Sequence, residues 1–215
     1  MERPSAETSF TDAMIDLELL GLDYGRPILQ IGVCLFNLAS SDDVFERHTI
    51  NVRVDTDGNN NVCAVTQAWW LRTDVDLFQE LLAASASTGR ALPIALLELN
   101  EFLAQHGPYR FWADYPAFDI AHLQLAMQRL GIVPAWTYRQ VHGSIDVKLM
   151  CRMLLGAEQS IPDHPGRRDH EAGSDALQQA MELKAWFRQL ADAIPGVSAA
   201  VLAGAVNREP ERLPA

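Results

Sequence analysis

The chain has 215 residues, 48% of them hydrophobic, and a formal net charge of −11 at pH 7. This length and composition predict a single domain with one substantial core. The negative charge argues against a protein that grips nucleic acid tightly through a basic surface. It does not exclude an enzyme whose own metal ions meet the phosphate.

Membrane and secretion signals are not expected. The chain contains no run of about 18 apolar residues, and its start, "MERPSAETSF", lacks the apolar stretch of a signal peptide. Cys34, Cys63 and Cys151 lie far apart without paired spacing, which is typical of buried thiols in a reducing compartment. We therefore expect a cytoplasmic protein that has no membrane partner.

The first part of the chain has the pattern of three β-strands. Their apolar residues alternate with polar ones or form short runs rich in Ile, Val and Phe, and turn residues separate them. The predicted strands are "DAMIDLELL" (12–20), "RPILQIGVCLFNL" (26–38) and "FERHTINVRV" (45–54). Their short connections predict an antiparallel meander.

After the loop "DTDGNNN" (55–61), the hydrophobic period changes to that of helices with short strands between them. Helices are predicted over 64–73, 75–84, 92–106, 117–131, 144–155 and 170–194, and strands over 109–114 and 137–143. Ser144 or Asp146 is expected to cap the helix over 144–155. This order predicts an α/β domain over 13–194, with an N-terminal tail (1–12) and a partly disordered C-terminal tail (195–215).

Two carboxylates, Asp16 and Glu18, interrupt the apolar run "AMIDLELLG" at alternate positions. In a β-strand such residues project from one face, where two anions repel each other unless one is protonated or a cation lies between them. The pair therefore indicates either a metal site or the solvated polar face of an edge strand.

Further polar groups stand near two predicted helix starts. Asp119 lies where a strand gives way to a helix, and His170 precedes Asp175 by five residues, so that both can face one cleft without touching. With Asp16 and Glu18 these supply the carboxylates that Mg²⁺ or Mn²⁺ prefers, and two such ions suit in-line displacement at phosphorus. A neutral histidine can take the proton of the attacking water. Taken singly, each acid is more typical of a structural residue or a helix start.

The order "DLE", "AFD" and then "H" with "D" five residues later resembles the DEDDh family of 3′–5′ exonucleases, over residues 14–190. The resemblance implies an RNase H-like α/β fold, in which a mixed five-stranded sheet is flanked by helices. The segment "AVTQAWWLRT" (64–73) and the short path from "IDVKLMCRML" to "DHEAGSDA" further resemble the phage exonuclease-VIII-like nucleases and the related mycobacterial-type exoribonucleases.

The resemblance implies that Asp16, Glu18, Asp119 and Asp175 hold two Mg²⁺ or Mn²⁺ ions and that His170 is the general base. The implied reaction is hydrolysis of phosphodiester bonds from the 3′ end of single-stranded RNA or DNA. Dimers are common in the resembling groups, so a homodimer is one expectation.

Candidates for substrate contact are Leu19, Phe118, Trp70 and Arg168. Leu19 stands where the family usually has Thr or Ser beside the substrate's terminus. Phe118 and Trp70 can stack on bases, with core packing as the alternative, and one of Trp69 and Trp70 is expected in the core. Arg168 can meet backbone phosphates or lie solvated.

Other expectations concern the loop over 156–169, whose composition indicates a segment that is mobile without substrate and delivers His170. Its His164 is expected to be an ordinary loop histidine.

Asp114 stands where many relatives have Asn or Gly, so the sequence does not decide which substrate the site accepts. Two alternative functions also stay open: an inactive nucleic-acid-binding module, and a phosphohydrolase of small nucleotides or dinucleotides.

Overall fold

The computed structural model describes residues 10–54, 62–108, 110–156 and 161–206. The strands are β1 (Asp12–Leu19), β2 (Ile28–Phe36), β3 (Glu46–Asn51), β4 (Arg110–Ala113) and β5 (Val141–Gly143). The helices are α1 (Ala64–Thr73), α2 (Val75–Ser87), α3 (Leu92–His106), α4 (Asp119–Arg129), α5 (Ser144–Leu155), α6 (Ala172–Ala193) and α7 (Ala199–Val206). A short 3₁₀ helix, Tyr138–Gln140, occupies part of the strand predicted over 137–143.

The strands form one mixed sheet in the order β3-β2-β1-β4-β5. The first three pair antiparallel, as their short connections predict, whereas β1, β4 and β5 run parallel. The predicted α/β fold with a mixed five-stranded sheet is confirmed. Because β1 is the central strand, Asp16 and Glu18 project from the middle of the sheet and not from an edge.

The two faces of β1 contribute to two separate cores, because side chains alternate along a strand. Ala13, Ile15 and Leu17 pack with residues of α3 and α4. Met14 packs on the opposite face with residues of α5, α6 and α7. Asp16 and Glu18 share the Met14 face by the same alternation, so their carboxylates face the layer that contains α6.

A glycine allows α6 to begin against the sheet beside Asp16. Gly32 of β2 pairs with Asp16, and a Cβ on Gly32 would lie 2.0 Å from the carbonyl oxygen of Ala172, the first residue of α6. The buried side chain of Gln30 also accepts a hydrogen bond of 2.9 Å from the Ala172 N–H. These contacts fix the position at which Asp175, in the first turn of α6, meets β1.

Parts of both expected tails belong to the packed structure. Asp12, the first residue of β1, is fully buried and accepts two hydrogen bonds, of 2.5 and 2.6 Å, from Arg110. Arg110 also donates to the carbonyl oxygen of Ala203 in α7, at 2.9 Å. The expectation of a weakly packed segment after Pro195 is therefore corrected for α7. The domain boundaries stay a prediction, and residues 1–9 and 207–215 lie outside the described residues.

The start of α5 differs from the sequence prediction, whereas the start of α6 agrees with the expectation that His170 lies at or just before it. Neither Ser144 nor Asp146 caps α5 with its side chain, and the Ser144 hydroxyl donates instead to Asp114 Oδ1 at 2.8 Å. The side chain of Glu171 caps α6 by accepting from the Ser174 N–H at 2.7 Å, so His170 precedes the helix. Among the described helices, none is long and apolar enough to cross a membrane.

Candidate active site

The predicted acids come together over the central strand. β1 supplies Asp16 and Glu18, α4 begins with Asp119, and α6 carries Asp175 in its first turn. Ligand atoms of Glu18, His170 and Asp175 all lie within 4.8 Å of one another. Asp16 lies close enough to Asp119 and Asp175 for their charges to raise its pKa. The structure thus gathers into one cluster the five residues proposed for the chemistry.

Burial and mutual repulsion make this cluster costly to ionise. Burial, and then the charges of neighbouring acids, raise the pKa values of Asp16 and Glu18 well above their ordinary range. Burial raises the pKa of Asp119 to about 7, although backbone N–H groups, including that of Leu17, oppose the rise. Burial also raises the pKa of Asp175. So many crowded, desolvated oxygen ligands fit divalent cations, because positive charge favours the ionised carboxylates.

Two more polar residues act on Asp16. Gln179 donates from Nε2 to Asp16 Oδ1 at 2.8 Å, and this bond opposes the rise in the pKa of Asp16. Sequence reasoning missed Gln179, although its place four residues after Asp175 puts both on one face of α6. The charge of Asp114, in contrast, raises the pKa values of Asp16 and Asp119. The family departure at Asp114 therefore adds negative charge beside the cluster, which makes Asp16 and Asp119 harder to ionise, and it leaves the proposed ligands in place.

His170 is held in an uncommon backbone conformation. Its φ is +64°, and no other non-glycine residue in the described ranges has a positive φ. Its backbone N–H donates to Asp175 Oδ2 at 2.8 Å, so the two residues touch, contrary to the expectation that they only share a cleft. Its imidazole lies edge-on to the rings of Trp69 and Trp70, with centroids 4.9 and 5.9 Å away.

The loop that precedes His170 is fastened to α6 over its described part, residues 161–169. His164 is buried, its Nε2 lies 3.0 Å from Ser174 Oγ, and its N–H donates to Gln178 Oε1 at 3.0 Å. The Arg168 N–H donates to Ser174 Oγ at 2.8 Å. His164 is therefore a structural loop histidine, as predicted. The expectation that this loop is mobile until substrate binds stays a prediction, and residues 157–160 lie outside the described residues.

The side chain of Arg168 forms an ion pair with Glu80. Its Nη1 lies 2.5 Å from Glu80 Oε2, and both side chains are exposed. Arg167 is paired with Asp163 and Asp169. The loop cations thus have acidic partners already, and a phosphate contact by Arg168 would compete with Glu80.

A cavity of about 310 Å³ opens beside the acid cluster. Its lining is almost wholly apolar and aromatic, with Glu18 common to cavity and cluster: Leu17, Glu18, Leu19, Leu22, Val65, Thr66, Trp69, Trp70 and Phe118. Three of the four predicted substrate contacts therefore line the same cavity: Leu19, Phe118 and Trp70. Arg168 does not line the cavity.

The two adjacent tryptophans have different surroundings. Trp70 is 1% exposed and stacks on Phe78, with ring centroids 5.3 Å apart and planes 13° from parallel. Trp69 is 38% exposed. The prediction that one of them is core holds for Trp70, which forms a wall of the cavity, and the ring face open to a stacking partner belongs to Trp69.

Solved structures resemble the fold over nearly the whole chain. The Mg²⁺- and Mn²⁺-bound form of S. pombe Pop2p is 16% identical, with a TM-score of 0.54 and coverage of 86% of each chain. The nuclease domain of 3′hExo, a DEDDh family member bound to rAMP, is 16% identical, with a TM-score of 0.51 and coverage of 89% of this chain and 96% of its own. The RNase domain of yeast Pop2 is 11% identical, with a TM-score of 0.57 and coverage of 89% and 82%. These likenesses confirm the predicted RNase H-like fold.

The family is shown at the level of sequence. The chain has no significant match among curated proteins. The 3′–5′ exoribonuclease Rv2179c-like domain, in contrast, matches residues 11–187, which include all five clustered residues. The predicted 3′–5′ exonuclease family is thus confirmed, while the likeness to phage exonuclease-VIII-like nucleases stays a prediction. This chain belongs to the Rv2179c-like 3′–5′ exoribonuclease domain family.

Proposed function

We propose that the protein hydrolyses single-stranded RNA from its 3′ end, one nucleotide at a time, with the aid of two Mg²⁺ or Mn²⁺ ions. The observation that carries the proposal is that the acid cluster and His170 lie beside a cavity lined by aromatic and aliphatic side chains, on which a nucleobase can stack. The family is described as exoribonucleases. Among proteins of like fold, S. pombe Pop2p binds Mg²⁺ and Mn²⁺, and 3′hExo binds rAMP, a ribonucleotide.

Asp16, Glu18, Asp119 and Asp175 would hold the ions. Bound there, two divalent cations supply the positive charge that activates the attacking water and stabilises the leaving oxygen. Their charge would offset the repulsion among these four acids, whose pKa values are raised at the centre of the sheet. Gln179 orients Asp16 by holding one of its two oxygens.

His170 would act as the general base. A neutral imidazole accepts the proton of the attacking water, and a base must lie within hydrogen-bond reach of the proton it takes. The ring of His170 lies at the acids, within 4.8 Å of ligand oxygens of Glu18 and Asp175. The hydrogen bond from the His170 backbone to Asp175 fixes the position of the base relative to that ligand.

The cavity would hold the 3′-terminal base. Aromatic and aliphatic walls bind a base by stacking and exclusion of water, worth about 1–3 kcal/mol per stacked base. Among the described residues of the lining, Thr66 carries the only hydroxyl and the two tryptophans each carry an indole N–H, so the cavity offers few side-chain groups that could read base identity. We therefore expect removal of any of the four bases. Leu19, in place of a hydroxyl residue, would contact the terminal nucleotide through apolar surface only.

A substrate panel tests the proposal. Single-stranded RNA and DNA oligomers, a dinucleotide and a free nucleotide are incubated with Mg²⁺, Mn²⁺ or chelator, and products are resolved by length. The proposal expects metal-dependent loss of 3′ nucleotides from the RNA oligomer. RNA binding without hydrolysis would favour the inactive binding module. Turnover of the free nucleotide or the dinucleotide alone would favour the small-substrate phosphohydrolase. A homodimer and a cytoplasmic location stay predictions from sequence.

A further inference from the structure

Trp69 belongs to two sites at once. It lines the cavity beside the acid cluster, and 38% of it is exposed. Its ring also contacts the imidazole of His170 edge-on, with centroids 4.9 Å apart and planes 82° apart. Trp70 supports both rings from the core, 5.2 Å from Trp69 and 5.9 Å from His170. A movement of the Trp69 indole therefore changes both the cavity wall and the surroundings of His170.

His170 depends on its neighbours for its conformation. A non-glycine residue with positive φ costs roughly 1–2 kcal/mol, so the surrounding structure must hold it there. The backbone is held by the hydrogen bond to Asp175. The ring contacts of the imidazole within the described residues are with the two indoles. Trp70 is buried in the core, whereas Trp69 is partly exposed, which leaves Trp69 as the contact with room to move.

We propose that Trp69 is a positioning residue that couples filling of the cavity to the placement of His170. This inference rests on the proposed function of the site. A base stacked in the cavity covers the exposed face of the indole and restricts its motion. The restricted indole then fixes the imidazole at the distance that proton transfer requires.

Through this coupling, binding of the terminal base would favour the chemical step by orienting His170. A group misplaced by 1 Å can cost about 10²-fold in rate, so a small displacement of His170 matters. When remote binding energy is used for orientation, a truncated substrate loses kcat as well as affinity. An oligomer without its 3′-terminal base should therefore be cut slowly even when it saturates the enzyme.

The test is a cycle of two enzymes and two substrates at saturating Mn²⁺. The substrates are one single-stranded RNA oligomer with an ordinary 3′ end and the same oligomer with an abasic 3′-terminal residue. Wild type should lose about 10-fold or more in kcat on the abasic substrate, and Trp69→Ala should lose a similar factor on the ordinary one. Together the two changes should cost little more than either alone, because both release the same indole–imidazole contact.

Several results would overturn the inference. Losses that multiply would show that Trp69 and the terminal base act independently of each other. A Trp69→Ala effect confined to KM would show that Trp69 only binds the base. Val65→Ala is the matched control, because Val65 lines the same cavity but is not a ring neighbour of His170. It should raise KM without the loss of kcat seen for Trp69→Ala. Trp69→Phe, which keeps an aromatic edge, should recover part of the lost kcat.

The outcomes separate this inference from the proposed function. A wild-type protein that hydrolyses neither oligomer contradicts the proposed function. An active wild type whose kcat is the same on both substrates contradicts the coupling alone. That wild-type comparison decides the matter even if Trp69→Ala fails to fold.

Discussion

The backbone N–H of His170 donates a 2.8 Å hydrogen bond to Asp175 Oδ2. The proposed base is thus hydrogen-bonded directly to a proposed metal ligand. His170 makes this bond with a positive φ of 64°. Substitutions here must respect both features. Asn tolerates the left-handed backbone conformation better than Ala does, and it has no group that can act as the base.

His170→Asn should therefore lower kcat by about 10²–10⁴-fold, the range for a lost general base, while the fold and Mn²⁺ binding survive. The measurement is a Mn²⁺ titration followed by steady-state hydrolysis, for wild type and variant. Near-normal turnover by the variant would remove His170 from the role of base. Loss of Mn²⁺ binding along with activity would make His170 a ligand.

Gly32 is predicted to be intolerant of a side chain. A Cβ there would lie 2.0 Å from the Ala172 carbonyl oxygen, so Gly32→Ala must push α6 away from β2. Such overpacking typically costs about 1–3 kcal/mol, and the shift would separate Asp175 from Asp16 and lower activity. Gly204→Ala is the control, because a Cβ on Gly204, inside α7, would have no atom within 4 Å. Equal free energies of unfolding for the two variants in urea would refute the close approach.

The ion pair between Asp12 and Arg110 is predicted to matter far more than an exposed one. Both side chains are buried, so Asp12→Ala leaves a buried guanidinium without its carboxylate and should cost about 3–5 kcal/mol. Asp23→Ala removes the carboxylate of an exposed partner of Arg26 and should cost no more than about 1 kcal/mol. Denaturant unfolding of both variants makes the comparison. A small loss for Asp12→Ala would mean that α7 and the β1 end do not depend on this pair.

The metal-free protein should become less stable as pH rises. The pKa of Asp119 is about 7 in the folded protein, against about 3.9 for an ordinary Asp. Between those values the folded state keeps a proton that the unfolded state has released, so the free energy of unfolding falls with rising pH. The raised pKa values of Asp16, Glu18 and Asp175 act in the same direction.

Thermal unfolding in chelator should therefore give a lower midpoint at pH 8 than at pH 5. Asp119→Asn should flatten this dependence, because it removes one of the titrating groups. A midpoint that rises over the same interval in wild type would contradict the description of the acids as buried and mutually repelling.

Short-range sequence patterns were enough to predict that Asp16 and Glu18 share one face of β1, whereas their role as metal ligands was implied by the family resemblance and stays a prediction. Alternation along the strand places Asp16 and Glu18 on one face, and the helix periods locate the starts near Asp119 and Asp175. Contacts between distant segments could not be predicted in this way. The closeness of Gly32 to Ala172 depends on strand register and helix docking together. The burial of Trp70 rather than Trp69 depends on the side from which α1 meets the sheet.

The same limit explains why the packing of α7 was not predicted. Local composition marks the segment after Pro195 as weakly packed, yet α7 supplies a backbone acceptor to Arg110, whose charge pairs with Asp12 at the start of β1. Such a buried polar network joins residues about 90 positions apart in sequence, which no local pattern records.

The most direct test of the central claim is the direction and metal dependence of hydrolysis. A single-stranded RNA labelled at its 5′ end is incubated with wild type or Asp16→Asn, with Mn²⁺ or with chelator, and the products are separated on a denaturing gel. We predict a ladder that shortens stepwise from the 3′ end with wild type and Mn²⁺ only. Intact RNA under all conditions, a 5′-terminal mononucleotide as first product, or equal activity of Asp16→Asn would contradict a metal-dependent 3′–5′ exonuclease centred on these carboxylates.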